Sequence, residues 1–216
     1  MNFQTILLQL STGLLKTIEL FILTLVLSLP LGLFVSFGRM SRLSLLRSIS
    51  KIYISIMRGT PLMLQLIVIY FMPSHLFGIQ ISNAWRFPAV VLAFTLNYAA
   101  YFAEIYRAGI ESMPVGQYEA AKVLGYSRVQ TFIRIIFPQV VKRILPPVTN
   151  EMITLVKDTS LAMVISVVEM FTIAKQISAH ETSIMPLMIA GVFYYIFNLL
   201  VANVMEQAEK KMHYFE

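Results

Sequence analysis

The sequence predicts an all-α, polytopic membrane protein with about five transmembrane helices. Two observations carry this. Hydrophobic residues make up 57% of the 216 and charged residues only 13%, against roughly 25% charged in soluble domains. The apolar residues also gather into runs of membrane-spanning length, about 20 residues each, with the basic residues concentrated between them. Cysteine is absent, which excludes a disulfide framework, a thiol nucleophile and a zinc-ribbon site. A sequence pI of about 9.6 is compatible with nucleic acid. Positive charge placed between apolar runs suits membrane topology better, so no nucleic-acid partner is expected.

Five runs qualify as spans: 13–37, 53–73, 87–106, 141–168 and 184–205. The first is too long, and too poor in a cleavage site, to be a signal peptide. The segments between runs are expected to be loops, including 74–86 and 169–183. There is no soluble domain, repeat or low-complexity tract, so residues 1–216 are expected to form a single transmembrane domain.

Orientation follows from basic residues, which favour the cytoplasmic side. Arg39, Arg42, Arg47, Lys51 and Arg58 follow the first run. Arg107, Lys122, Arg128, Arg134, Lys142 and Arg143 follow the third, and Lys210 and Lys211 lie in the tail. These are 13 of the 17 Lys and Arg. With five spans they put the N-terminus outside and the C-terminus inside.

The stretch 118–138, YEAAKVLGYSRVQTFIRIIFP, is thus expected in the cytoplasm. Pro114 breaks the chain before it. A short helix is expected over 115–125, with Glu119 near its start, where the helix dipole favours negative charge. Gly125 is placed to end it, because glycine takes the left-handed C′ conformation cheaply. Ala120 and Ala121 are small enough for a partner surface to approach the backbone. Basic and apolar residues then alternate at helical spacing, as in a helix lying along a membrane surface, and Pro138 is expected to close it.

Glu119-Ala120-Ala121, three residues, Gly125, nine residues and Ile135-Ile136-Phe137-Pro138 together resemble the EAA signature of ABC importer permeases. Phe137 stands where that signature has leucine. MRGTPLMLQL (57–66), FAEIYRAGIESMPVGQYEAAKVLG (102–125) and NEMITLVKDTSL (150–161) resemble the polar-amino-acid permeases of the histidine, glutamine and arginine type. The resemblance covers nearly the whole chain. It implies a type I-like permease fold in a prokaryotic cytoplasmic membrane, with 114–138 as the coupling segment between the third and fourth helices. Glu119, Ala120, Ala121 and Gly125 would couple the chain to a cytoplasmic ATPase, which binds the ATP and Mg; no cofactor belongs to this chain. It further implies two ATPases, a second permease subunit, identical or paralogous, and an extracytoplasmic amino-acid-binding protein.

The polar residues within the spans have a physical reading of their own. An ionisable residue at mid-bilayer costs about 2.5–3.5 kcal/mol, so it faces a cavity or a partner. Glu151 and Asp158 are seven apart and share a helical face, with Thr154 and Leu155 between them. The plainer alternative is that Lys157 neutralises a carboxylate and the helices are merely glued. Gly59 and Pro61 weaken the helix between them, and an opened turn is tolerated where it lines a cavity; the plainer reading is a proline kink with Arg58 reaching the cytoplasmic surface. Asn97 bonds either a neighbouring helix or a ligand, and Glu104 and Arg107 form a helix-end ion pair. Carried onto matching positions, the resemblance implies a substrate pocket of Thr60, Leu64, Gln65, Asn97, Glu151, Asp158 and Ser160. Carboxylates there would meet a ligand ammonium, and backbone N–H groups freed at Pro61 would meet its carboxylate.

No catalytic constellation appears. His75, His180 and His213 are isolated, without metal-ligand spacing, and no glycine loop binds phosphate. A membrane enzyme using Glu151 and Asp158 as acid and base would need a nucleophile or metal ligands, and none is found. A stand-alone channel or secondary transporter would show inverted repeats and would leave 118–138 unexplained.

Overall fold

The computed structural model describes residues 2–212, and every regular element among them is helical; His213 lies outside the described residues. The chain opens with α1 (Phe3–Arg39), a single helix that carries its Pro30 without a break. One face of α1 buries Thr17, Leu20, Thr24, Ser28 and Gly32, and the other exposes Leu15, Ile22, Val26 and Phe34. The small residues let α4 (Arg86–Glu111) approach closely, as membrane helices do. A Cβ on Gly32 would lie 2.8 Å from the Phe102 Cβ.

The run 53–73 is not one helix. α2 (Ser44–Gly59) and α3 (Leu62–Phe77) meet at 112°. Pro61 has no N–H to give α2 and instead becomes the N-cap of α3. Leu45, Ile49, Ile52 and Ile56 recur at helical spacing on the exposed surface of α2, the pattern of a helix lying flat. The expected loop 74–86 is shorter than predicted: α3 runs to Phe77 and ends on Gly78 at φ +64°. A single 3-10 turn, Asn83–Trp85, leads into α4.

After α5 (Val115–Val123) and α6 (Arg128–Thr131), the helical path does not stop at Pro138. It passes through a π-helical turn, Phe132–Ile136, into α7 (Phe137–Asp158). Proline lacks a hydrogen-bond donor and crowds the carbonyl four residues back. The wider π turn accommodates this, and Pro138 then occupies the first turn of α7, where its missing donor costs nothing. A 3-10 stretch, Thr159–Ile165, extends α7.

The segment 169–183, expected as a loop, is mostly α8 (Met170–Glu181), bent 58° from the preceding helix. Met170, Ala174 and Ile177 form its inner face and pack with Ile6 and Leu10 of α1 and Ala190 of α9 (Met185–Met212). Among the described residues three helices are long and apolar enough to cross a membrane, and the count reaches up to five if each bent pair is one span. The main core joins Leu20 and Phe21, Phe94 to Phe102, and Leu155 and Val156.

Candidate functional site

Thr60, Gln65 and Asn97 come together at the α2–α3 bend. Ending α2 leaves carbonyls without intrahelical partners, and side chains take them. Gln65 Nε2 donates to the Met57 carbonyl at 2.9 Å, to the Thr60 carbonyl at 3.1 Å and to Thr60 Oγ1 at 2.8 Å. Thr60 Oγ1 donates to the Ile56 carbonyl at 2.8 Å. Asn97 Nδ2 reaches from α4 to the Met57 carbonyl at 3.1 Å and to Gln65 Oε1 at 2.9 Å. The bend is thus a closed polar knot rather than an open turn. Leu64 stays exposed beside it.

Tyr98, next to Asn97 on α4, turns toward α7. Its hydroxyl donates to Asp158 Oδ2 at 2.7 Å. Its place one residue after Asn97 is the local signal that it serves the neighbouring helix. Lys157 is exposed and forms no salt bridge with Asp158, although its charge still acts on that carboxylate. Ser160 donates to the Lys157 carbonyl at 2.8 Å. The expected polar face is interrupted, because Leu155 is fully buried in the apolar core and Thr154 is exposed, bonded to the Asn150 carbonyl.

Glu151 belongs to a different level. Seven residues from Asp158, at 1.5 Å per residue, place it about 10 Å further along α7. There it lines a cavity of about 430 Å³ with Arg58, Tyr101, Glu104, Arg143 and Pro147. Glu104 and Arg107 form the expected pair at 2.7 Å, extended by Arg39 at 3.7 Å. The Arg58 guanidinium lies over the Tyr101 ring, 5.3 Å from its centroid. Close contact between α4 and α7 walls the cavity: a Cβ on Gly109 would come 2.3 Å from Ile144 Cγ2.

In the 114–138 segment Pro114 caps α5, and Gly125 takes φ +79° after it. The Tyr126 N–H donates to the Ala121 carbonyl at 3.0 Å and the Gly125 N–H to the Lys122 carbonyl at 3.1 Å, a Schellman ending. Ser127 and Gln130 then form a capping box at the start of α6, a signal present in the sequence as S-x-x-Q. Glu119, Ala120 and Gly125 are exposed, as are the apolar Val115, Val123, Leu124 and Val129. Ala121 differs from expectation: it is buried within the chain, so its small size serves internal packing rather than a partner's approach. Gln117 and Gln139 clasp each other through both amides, at 2.8 and 2.6 Å, and Gln139 also holds the Ile135 carbonyl at 2.7 Å. This clasp ties α5 to the start of α7.

Sequence reasoning missed Glu169. Its carboxylate is buried and caps α8, accepting from the Phe171 and Thr172 N–H groups at 2.7 Å each. It also accepts from Thr172 Oγ1 at 2.9 Å, Tyr194 Oη at 3.2 Å and Thr17 Oγ1 at 3.4 Å. One carboxylate thus joins α1, α8 and α9. The described residues hold no group of His, Asp or Glu able to bind a metal.

Residues 28–214 match the family described as binding-protein-dependent transport system inner membrane component. The chain is 38% identical over 206 residues to the L-cystine transport system permease protein of Bacillus subtilis, covering 94% of this chain and 86% of that one. It is 36% identical to the arginine transport system permease protein of the same organism, over 93% and 90% of the two chains. It is 40% identical to the octopine transport system permease protein of Rhizobium radiobacter, over 90% and 84%. Among solved structures, an amino acid ABC transporter with histidines superposes with a TM-score of 0.87 at 31% identity, over 98% of this chain and 99% of that one. The MetNI methionine ABC transporter, inward-facing, has a TM-score of 0.74 at 18% identity over the same shares, a likeness of fold.

Proposed function

We propose a solute path and a coupling route on one premise: the chain belongs to the family of binding-protein-dependent transport system inner membrane components. It is a permease subunit of an ABC importer, and ATP is hydrolysed on a separate subunit. The solute in our reading is a polar amino acid, which the cystine, arginine and octopine permeases among the relatives support. The N-terminus is outside and the C-terminus inside, as the basic residues favour.

The observation that carries the path is the pairing of Asp158 with Tyr98, beside the Asn97–Gln65 knot. A carboxylate held by one neutral hydroxyl keeps acceptor capacity for an incoming ammonium. Thr60, Leu64, Gln65, Asn97, Asp158 and Ser160 line this level, and Glu151 lies below it. The first N–H groups of α3 follow Pro61 and suit the solute's carboxylate. The exposed apolar residues of α5 and its flanks, with Glu119, Ala120 and Gly125 among them, suit a groove on an ATPase that binds ATP and Mg. Two permease subunits, two ATPases and an extracytoplasmic binding protein complete the importer.

Asp158→Asn tests the path in liposomes carrying the complete importer. Uptake and amino-acid-stimulated ATP hydrolysis should both fall, because the amide cannot neutralise an ammonium. Unchanged values for both would remove Asp158 from the list of ligands.

A further inference from the structure

Three cations on α2 and the turn before it have no acid in the chain to answer them. Between Glu19 and Glu104 the sequence holds no acidic residue, while Arg39, Arg42, Arg47, Lys51 and Arg58 gather in a short part of that stretch. Arg39 answers Glu104 at 3.7 Å, and the charge of Arg58 acts on Glu104 and Glu151. Arg42, Arg47 and Lys51 are exposed and form no salt bridge or hydrogen bond among the described residues. The helix sorts its side chains into strips. At about 3.6 residues per turn, Arg47 and Lys51 share one side of α2 and Leu45, Ile49, Ile52 and Ile56 share another, all of them exposed. The exposed Ser44, Ser48 and Ser55 fall between the two. The remaining side is packed: Ile54 lies against Ala100 and Ala103 of α4, and a Cβ on Gly38 of α1 would come 2.5 Å from Ser50 Oγ. Cations, then hydroxyls, then branched alkyl groups follow the layers of a membrane surface, from phosphate through glycerol to acyl chain. A groove of about 430 Å³ between α1 and α2, with Phe34, Val35, Phe37 and Leu46 in its walls, adds apolar surface beside the alkyl strip.

We propose that α2 holds an anionic phospholipid, with Arg47 and Lys51 on its phosphate, Arg42 at the edge of the site, and its acyl chains along Ile49, Ile52 and Ile56. Arginine and lysine both bind phosphate well, arginine through its planar fork, and clusters of such cations on an amphipathic helix attract anionic lipid. An acidic protein partner would meet the cations but would leave the alkyl strip uncovered. The inference rests on the orientation given above, which puts this end of α1 at the cytoplasmic leaflet, and adds a lipid with a fixed place there. The site bears on the solute path. α2 ends in the Met57 and Thr60 carbonyls that Gln65 and Asn97 hold, so a lipid seated on α2 steadies one wall of that level.

The test uses the complete importer in liposomes that mix phosphatidylglycerol with phosphatidylcholine. One lipid at a time carries a photoreactive acyl chain, and mass spectrometry locates the crosslinks. In the wild type phosphatidylglycerol should label residues 44–56 about fivefold more than phosphatidylcholine at equal amounts. Arg47→Gln with Lys51→Gln should erase that excess and leave phosphatidylcholine labelling unchanged, which also shows α2 still seated in the membrane. Arg47→Lys with Lys51→Arg keeps the charge and should retain most of the excess. Lys210→Gln with Lys211→Gln removes the same charge from the end of α9 and should preserve it. Soluble glycerol 3-phosphate should not displace the lipid. Equal labelling by the two lipids in the wild type, an excess that survives the α2 glutamines, or one lost equally in the α9 variant would overturn the site. Displacement by glycerol phosphate would overturn it too, because the site would then serve free anions. If the α2 glutamines release the ATPase and the wild type shows no lipid excess, the cations meet a protein and the lipid site is wrong. None of these readouts requires transport, so they stand or fall apart from the choice of solute.

Discussion

The amide clasp between Gln117 and Gln139 gives the coupling route a measurable strength. Two reciprocal hydrogen bonds of 2.8 and 2.6 Å join α5 to α7, and a third, 2.7 Å to the Ile135 carbonyl, fixes Gln139 at the π turn. A hydrogen bond contributes about 0.5–1.5 kcal/mol net, so the clasp is worth about 1–3 kcal/mol. At 1.4 kcal/mol per factor of ten, the lower and middle part of that range shifts the tied state of α5 by roughly 5- to 30-fold. Gln117→Ala removes both clasp bonds, and Gln139→Ala removes those and the carbonyl bond. The assay is the number of ATP molecules hydrolysed per amino acid imported by liposomes carrying the full importer. Both single variants should raise that ratio, Gln139→Ala more. The double variant should be no worse than Gln139→Ala alone, because the shared bonds are lost only once. Additive effects of the two substitutions, or an unchanged ratio in all three variants, would refute a mechanical role for the clasp.

Two further predictions concern how the helices are held. Glu169→Ala strands the Phe171 and Thr172 N–H groups and the Tyr194 hydroxyl in a buried site. The expected loss is about 3 kcal/mol, read as a lower thermal unfolding midpoint of the purified complex. Glu169→Gln keeps an acceptor and should lose less, so equal losses would contradict the capping account. Gly109→Val forces a side chain against Ile144 and should cost about 1–3 kcal/mol in the same measurement. Adding Ile144→Ala should recover part of it; if it recovers none, α4 and α7 do not meet at that point.

Much of the architecture is legible in the sequence because membrane spans need long apolar runs. The break at Gly59-Thr60-Pro61 and the left-handed ending at Gly125 are equally local signals, and both are found where the residues put them. What escaped depends on partners distant in sequence. Glu169 looks like one acidic residue in a short polar stretch; its role appears only when Thr17 and Tyr194 close on it. The helix it caps has 12 residues, too few to register as a span. Pro138 reads as a terminator, and only the π turn before it lets the helix continue. Glu151 and Asp158 share a face by spacing, yet the buried Leu155 and the intervening 10 Å or so of helix assign them to different surroundings.

The central claim is that solute choice and ATP coupling reside in separate parts of one chain, the first around α3, α4 and α7 and the second in α5 and its Gly125 ending. The most direct test compares the wild-type importer with Gly125→Val and Glu119→Ala, ranking a panel of amino acids by how strongly each stimulates ATP hydrolysis in the presence of the binding protein. Valine at φ +79° strains the ending by about 1–2 kcal/mol. The account predicts weaker stimulation or weaker assembly in both variants with the order of amino acids preserved. A changed order in either variant would contradict it, because 114–138 would then belong to the solute path.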